Sequence, residues 1–207
     1  MMTFPDIRMR ALLQEANRAQ KLLDDQQYEE SRNAFAEVRA RAKRLGLDSA
    51  YLAWGVAVTS DYLGDTDMAF AAISEALARD PFNPAARHSF DIICGRVRSA
   101  LAAPERDVAD PSTPRLYELL LGAGEADVPS HLAMARWLAA GGKREEAMRI
   151  LDAVTLLAPA SRDSWLAKAA LARVIGDEAD ALRCDAQASA LSTPAVPYAI
   201  PAPTATC

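Results

Sequence analysis

Residues 137–159, WLAAGGKREEAMRILDAVTLLAP, decide how this chain folds. The step Gly141-Gly142-Lys143 sits at the head of an apolar helical pattern. Such a step fits a phosphate-cradling loop, a turn between helices, or one copy of a repeat. A phosphate loop needs a glycine, four residues and then Gly-Lys-Ser/Thr after a strand, so that backbone amides converge on the anion. Here Trp137, not glycine, stands five residues before Gly142, and Arg144 follows the lysine. The residues before the step also have helical periodicity. The step therefore reads as a hairpin turn.

Working outward, the same spacing recurs. Ala135 and Ala147 flank the turn 12 residues apart, Val154 lies 7 further on, and Pro159 stands 12 after Ala147. Upstream, Ala57, Ala69, Ala76 and Pro81 have the same offsets. Downstream, Ala169, Ala181, Ala188 and Pro194 follow them with one residue added at the end. Near the N-terminus Ala19, Ser31 and Val38 match the first three positions. Glycine marks the turn in three copies, at Gly64, Gly142 and Gly176. Small residues let the two helices of a hairpin cross closely. Glycine relieves the turn, and proline ends the second helix. Helix stops are expected at Gly46, Gly64, Asp80-Pro81, Gly122, Gly141-Gly142, Pro159 and Gly176, with helices of about 12–16 residues between them. A lone hairpin cannot bury its apolar face, so neighbours must stack.

The small–glycine–small–small–proline pattern on a 34-residue period resembles the tetratricopeptide repeat. Residues 128–161 and 162–195 are consecutive copies, and 50–83 is a third. Residues 12–49 form a capping unit with a longer second helix and no turn glycine. Its polar Glu15 and Arg18 stand where the family buries apolar groups. Residues 84–127 are a degenerate unit: charged Asp91 occupies a small-residue position, Gly95 interrupts the helix, and AAPERDVADPST inserts a loop. The resemblance implies an all-α, right-handed α-solenoid of about ten helices over residues 1–195. Residues 196–207 follow as a proline-rich tail. It also implies a concave groove, built mainly from first helices, that binds a peptide or partner helix.

Composition agrees with such a protein. Half the residues are apolar, a quarter are charged, and the net charge is −5. That acidity argues against a nucleic-acid partner, whose binders carry a basic footprint. Cys94, Cys184 and Cys207 are odd in number and widely spaced, unlike a secreted disulfide framework. Arg8, Arg10, Glu15 and Arg18 interrupt any signal-peptide core. The longest apolar runs fall short of a membrane span. A cytoplasmic protein is expected, without membrane contact, metal or cofactor. His88 and Cys94 are six apart, whereas helical metal ligands prefer three or four. Glu29-Glu30, Glu145-Glu146 and Asp177-Glu178 open second helices, where negative charge complements the helix dipole. No catalytic residue emerges.

The candidate binding residues lie on first helices. Tyr51, Trp54, Val58, Asp61 and Tyr62 share one broad helical face. That face is either an aromatic binding surface or a packing surface between repeats. Transferring the family's register places His88, Ile92, Arg96, Leu132, Arg136, Asp163, Leu166 and Arg173 towards the groove. Arg96, Arg136 and Arg173 come from successive units. They suit an acidic peptide, or they pair with carboxylates such as Asp61 and Asp163. His131 opens a helix and is expected to face solvent or a neighbouring turn. The family's chaperone-binding branch carries a lysine–asparagine clamp that Asn17 and Lys21 do not reproduce. The expected function is a scaffold or adaptor for a protein segment, free or homo-oligomeric. The alternatives are an assembly or secretion-type chaperone and an accessory subunit of an enzyme complex. The tail, STPAVPYAIPAPTATC, favours extended polyproline conformation, and Tyr198 and Ile200 could dock it on a groove or partner.

Overall fold

The computed structural model describes residues 4–191, with side chains from residue 8 onward. Pro194, Tyr198, Ile200 and Cys207 lie outside the described residues. Ten helices follow one another among the described residues. They are α1 (Phe4–Asp24), α2 (Tyr28–Arg44), α3 (Ala50–Tyr62), α4 (Thr66–Arg79), α5 (Pro84–Ala102), α6 (Thr113–Ala123), α7 (Val128–Ala140), α8 (Arg144–Leu157), α9 (Arg162–Ile175) and α10 (Glu178–Ala190). The described residues are an all-α succession of helical hairpins.

The crossing positions are where the spacing puts them. Ala19, Ser31, Ala57, Ala69, Ala76, Ala147, Ala169 and Ala181 are wholly or almost wholly buried, as are Val38, Ala135, Val154 and Ala188. A larger side chain at these points would push the paired helices apart. Ser31 adds a tie to its crossing: its hydroxyl donates to the carbonyl of Ala19 at 2.8 Å.

The turns share one backbone device. Gly64, Gly142 and Gly176 have φ of 76°, 79° and 86°, each two residues before the next helix. The amide after each reaches five residues back, as in Asp65 N to Ser60 O at 2.9 Å and Lys143 N to Leu138 O at 2.8 Å. That pairing satisfies carbonyls that the helix end leaves open. In the first hairpin Gln26 takes the same place with φ of 60°, and Gln27 N reaches Leu22 O at 2.8 Å. The hairpin geometry thus survives the missing glycine. Helix starts are fixed by side chains of Ser49, Asp65, Asp127, Ser161 and Asp177, each accepting from an amide three residues on.

Three expectations need correction. Gly122 does not stop a helix: α6 runs through it to Ala123, and Gly124, with φ of 73°, makes the turn. Helix lengths run from 11 to 21 residues: α1, α2 and α5 exceed the expected range and α6 falls short of it. Asp91 does not occupy a crossing point. It is exposed, and α5 instead buries Ala86, Ile93, Cys94, Val97 and Leu101. Gly95 has open space beyond it. Residues 103–112 then form the inserted loop, in which Arg106 binds Ser112, Thr113 and Asp110.

The chain packs as two compact units. The first comprises described residues up to Ala100 together with Glu118–Glu125. The second comprises Leu101–Tyr117 and the described residues from Ala126 onward. In the first, Phe35 of α2 is fully buried against α3. Burying such a ring contributes about 1.5–3 kcal/mol. In the second, Leu132, Ala135, Leu138, Ala147, Leu151 and Leu171 form the core, with Trp137 and Met148 packed against it.

Candidate functional site

The aromatic face of α3 lies in the first unit and is largely engaged in packing. Trp54 is half-buried, and its indole donates to Ser89 Oγ of α5 at 2.9 Å. Tyr51 stacks on Trp54 with ring centroids 5.7 Å apart, and its hydroxyl donates to Gln20 of α1 at 3.1 Å. Burial, then the nearby Asp24 carboxylate, raises the Tyr51 pKa above its ordinary value. Tyr62 stacks on Tyr28 of α2 at 4.4 Å. Arg96 of α5 donates to Asp61 at 2.5 Å, and its guanidinium lies 5.8 Å from the Tyr62 ring centre. Five of the proposed groove residues, Tyr51, Trp54, Asp61, Tyr62 and Arg96, thus join successive repeats. Val58 is half-buried, while His88 and Ile92 are exposed on α5.

The second unit holds an open groove. It has a volume of about 560 Å³ and lies between α7 and α9. Leu132, Ala135, Leu151 and Leu171 form its buried floor. Ala139, Ala167 and Ala170 leave room above that floor, and Leu166 and Val174 rise beside it, 37% and 59% exposed. The charged lining is Arg136, Arg144 and Asp163, all exposed. The small side chains come from the same short-long alternation that lets the helices approach, so the groove follows from the packing.

Leu132, Arg136, Asp163 and Leu166 come together here from two consecutive repeats. Arg173 does not line the groove. It forms an ion pair with Asp185 of α10. Arg144, a lining residue on a second helix, escaped the sequence reading, which looked only to first helices. Its signal was its place two residues after the turn glycine, beside the open end of α7. A second, more polar opening of about 900 Å³ shares Arg144 and Val174 with the groove.

The groove wall is braced from behind. Lys168 of α9 is 16% exposed and contacts Asp152 of α8 at 2.8 Å and Asp180 of α10 at 3.6 Å. Burial opposes its charge, but the Asp152 hydrogen bond and both carboxylates raise its pKa above the usual lysine value. Trp165 donates to the carbonyl of Pro159 at 2.8 Å, fixing the α8–α9 connection. His131, expected to face solvent or a neighbouring turn, is instead half-buried against a helix, with its Nδ1 2.8 Å from the Tyr117 hydroxyl of α6. Burial lowers its pKa, against the opposing pull of Asp127.

Among the described residues no cluster of three or more His, Cys, Asp or Glu side chains is placed to hold a metal. No described helix is long and apolar enough to cross a membrane. Cys94 and Cys184 are free thiols in buried positions.

No family model matches the chain, and no curated protein matches it. Solved structures do. One described as MamA AMB-1 is 16% identical with a TM-score of 0.44, covering 90% of this chain and 94% of that one. MamA 41-end from Desulfovibrio magneticus RS-1 is 14% identical with a TM-score of 0.38, covering 87% and 94%. A thermophilic TPR protein in Thermus thermophilus is 18% identical with a TM-score of 0.38, covering 87% and 91%. The repeated-hairpin architecture rests on this chain's own residues: buried small side chains at fixed offsets, and a left-handed residue at the turn of four hairpins, Gln26, Gly64, Gly142 and Gly176.

Proposed function

We propose that this protein is a non-enzymatic interaction scaffold that holds a partner protein segment in the groove between α7 and α9. The carrying observation is the lining itself. An alkyl floor is open to solvent on one side and bordered by Arg136, Arg144 and Asp163. Alkyl, guanidinium and carboxylate groups of this kind bind and orient a ligand. They supply no nucleophile with an adjacent base. The matching partner is a short segment with apolar side chains spaced to reach the floor and a carboxylate for the arginines. Each large alkyl group buried there contributes about 1.5–3 kcal/mol before the cost of ordering the segment.

The test is selection of peptides from a random library against the full chain, followed by affinity measurement on variants. Selected peptides should combine leucine-like residues with Asp or Glu. Leu166→Asp and Arg136→Glu should each weaken binding about tenfold or more, since charge reversal or loss of an apolar anchor costs over about 1.4 kcal/mol. Arg183→Ala, on the far side of α10, should leave binding unchanged. If both groove variants bind normally while retaining helical content, the partner site lies elsewhere.

A second reading, an accessory subunit with permanently covered surface, has its own support. Leu156 and Leu157 at the end of α8 are 82% and 78% exposed. Isolation of the native protein only as a stoichiometric complex would favour it.

A further inference from the structure

The loop inserted between α5 and α6 borders a second opening. A pocket of about 230 Å³ is walled there by alkyl groups of Leu101, Ala102, Ala103, Pro104, Val108 and Ala133. Its polar lining is Arg106, Asp107, Thr113 and Arg136, and every lining residue belongs to the second unit. Arg136 lines this pocket and the α7–α9 groove alike, so the two openings meet at its side chain. It is exposed, and it pairs with no carboxylate among the described residues. The polar groups of the loop bond one another instead. Arg106 donates to Thr113 Oγ1 at 3.1 Å and to Ser112 Oγ at 2.6 Å, and pairs with Asp110 at 3.1 Å. Asp107 accepts from the amide of Ala109 at 2.9 Å. Val108, between these groups, is left 50% exposed.

We propose that this loop selects the partner: the segment held between α7 and α9 continues past Arg136 and places one further aliphatic side chain in the loop pocket. The inference rests on the groove reading. The pocket is smaller than the ~300–1,000 Å³ of small-molecule sites, so it takes a side chain and not a separate ligand. Its alkyl walls favour an aliphatic group. Asp107 in the pocket and Asp163 in the groove repel a carboxylate, whereas Arg136, where the openings meet, attracts one. The complementary segment therefore carries aliphatic residues on both sides of an Asp or Glu. A loop closed by its own hydrogen bonds presents Val108 with little ordering cost on binding. Insertions in repeat proteins gather on one face, often the face that binds, and this one lies beside the groove.

The experiment selects peptides from one random library against the unaltered chain and against three variants, Ala133→Phe, Val108→Asp and Leu166→Asp. Ala133→Phe fills the loop pocket, Val108→Asp makes its wall acidic, and Leu166→Asp changes the groove alone. Circular dichroism checks that helical content is kept. Peptides selected on the unaltered chain should carry aliphatic residues on both sides of an Asp or Glu. Both loop variants should bind those peptides about tenfold more weakly. Peptides selected on Ala133→Phe should lose the aliphatic preference on one side and keep it on the other. Val108 is at an exposed loop position, so its variant carries the test should Ala133→Phe fail to fold. Full affinity in the loop variants, with the same preferences on reselection, overturns the proposal. If Leu166→Asp still weakens binding in that case, the groove reading stands and only the role of the loop falls. Weakened binding in the loop variants with Leu166→Asp unaffected places the partner at the loop alone, and also overturns the continuous segment.

Discussion

A β-carbon placed on Gly55 of α3 would stand 2.5 Å from the ring of Phe35 on α2. Phe35 is fully buried, and its ring also meets Tyr51 edge-on at 5.8 Å. The glycine is therefore the surface on which the first repeat docks against the second. Gly55→Ala should destabilise the protein by about 1–2 kcal/mol, because overpacking strain of roughly 1–3 kcal/mol exceeds the helix-propensity gain of about 1. Phe35→Leu in the same chain should recover much of that loss. Urea denaturation of the two single variants and the double variant measures the coupling, and additive effects would dismiss the contact as the cause.

Gln26 holds the left-handed conformation that glycine holds in three later turns. A side chain there costs about 1–2 kcal/mol, partly offset by glycine's greater freedom when unfolded. Gln26→Gly should therefore stabilise the protein by about 0.5–1 kcal/mol. Gly64→Ala and Gly142→Ala should do the opposite. Thermal unfolding of the three variants reads the signs directly.

Asp48, at the entry to α3, pairs with Arg39 of α2 at 3.4 Å, each side chain 10% exposed. Asp48 also contacts Arg79 of α4 at 2.7 Å. Asp48→Ala removes one of two carboxylates from the buried Arg39 guanidinium, which keeps Glu75, and should cost about 1–2 kcal/mol. Raising salt from about 0.1 to 1 M should alter that cost little, since buried pairs are weakly screened. Removing Arg183, which pairs with Asp180 at the surface, should cost under about 0.5 kcal/mol. Comparable losses at the two sites in urea titrations would contradict the assignment.

His131 favours its neutral form in the folded protein, chiefly through burial. A group whose folded pKa is lowered binds fewer protons folded than unfolded, so stability rises with pH. Its contribution is fully present above the ordinary histidine value of about 6.5 and is lost as pH falls through the lowered folded value. Melting temperature should drop from about pH 7.5 towards pH 5.5, and His131→Gln should flatten that slope. An unchanged slope in His131→Gln would assign the effect to other groups.

Much of the fold was legible because crossing helices impose size limits at fixed intervals, and alanine at those intervals is visible in the chain. Turn glycines were legible for the same reason, whereas Gln26 was not, since a left-handed residue other than glycine leaves no compositional mark. The middle of the chain was harder. There α5 follows its own buried pattern, with Ile93, Cys94 and Val97 in place of a single small residue. The family's register gathered Leu132, Arg136, Asp163 and Leu166, and these four line one opening. It could not tell a free arginine from a paired one. A signal was available: Asp61–Arg96, Arg32–Asp65 and Arg39–Glu75 are opposite charges 35, 33 and 36 residues apart, close to one repeat. Such pairs join neighbouring repeats rather than line a groove.

Those separations have a kinetic consequence. Every long-range hydrogen bond and ion pair described above closes a loop of 36 residues or fewer. Closing short loops costs little chain entropy, and topologies with local contacts fold fast. During synthesis, each hairpin meets its stabilising neighbour after only one further repeat has emerged. The exposed time of an unfinished apolar face is therefore set by the length of a single repeat, and not by the length of the chain.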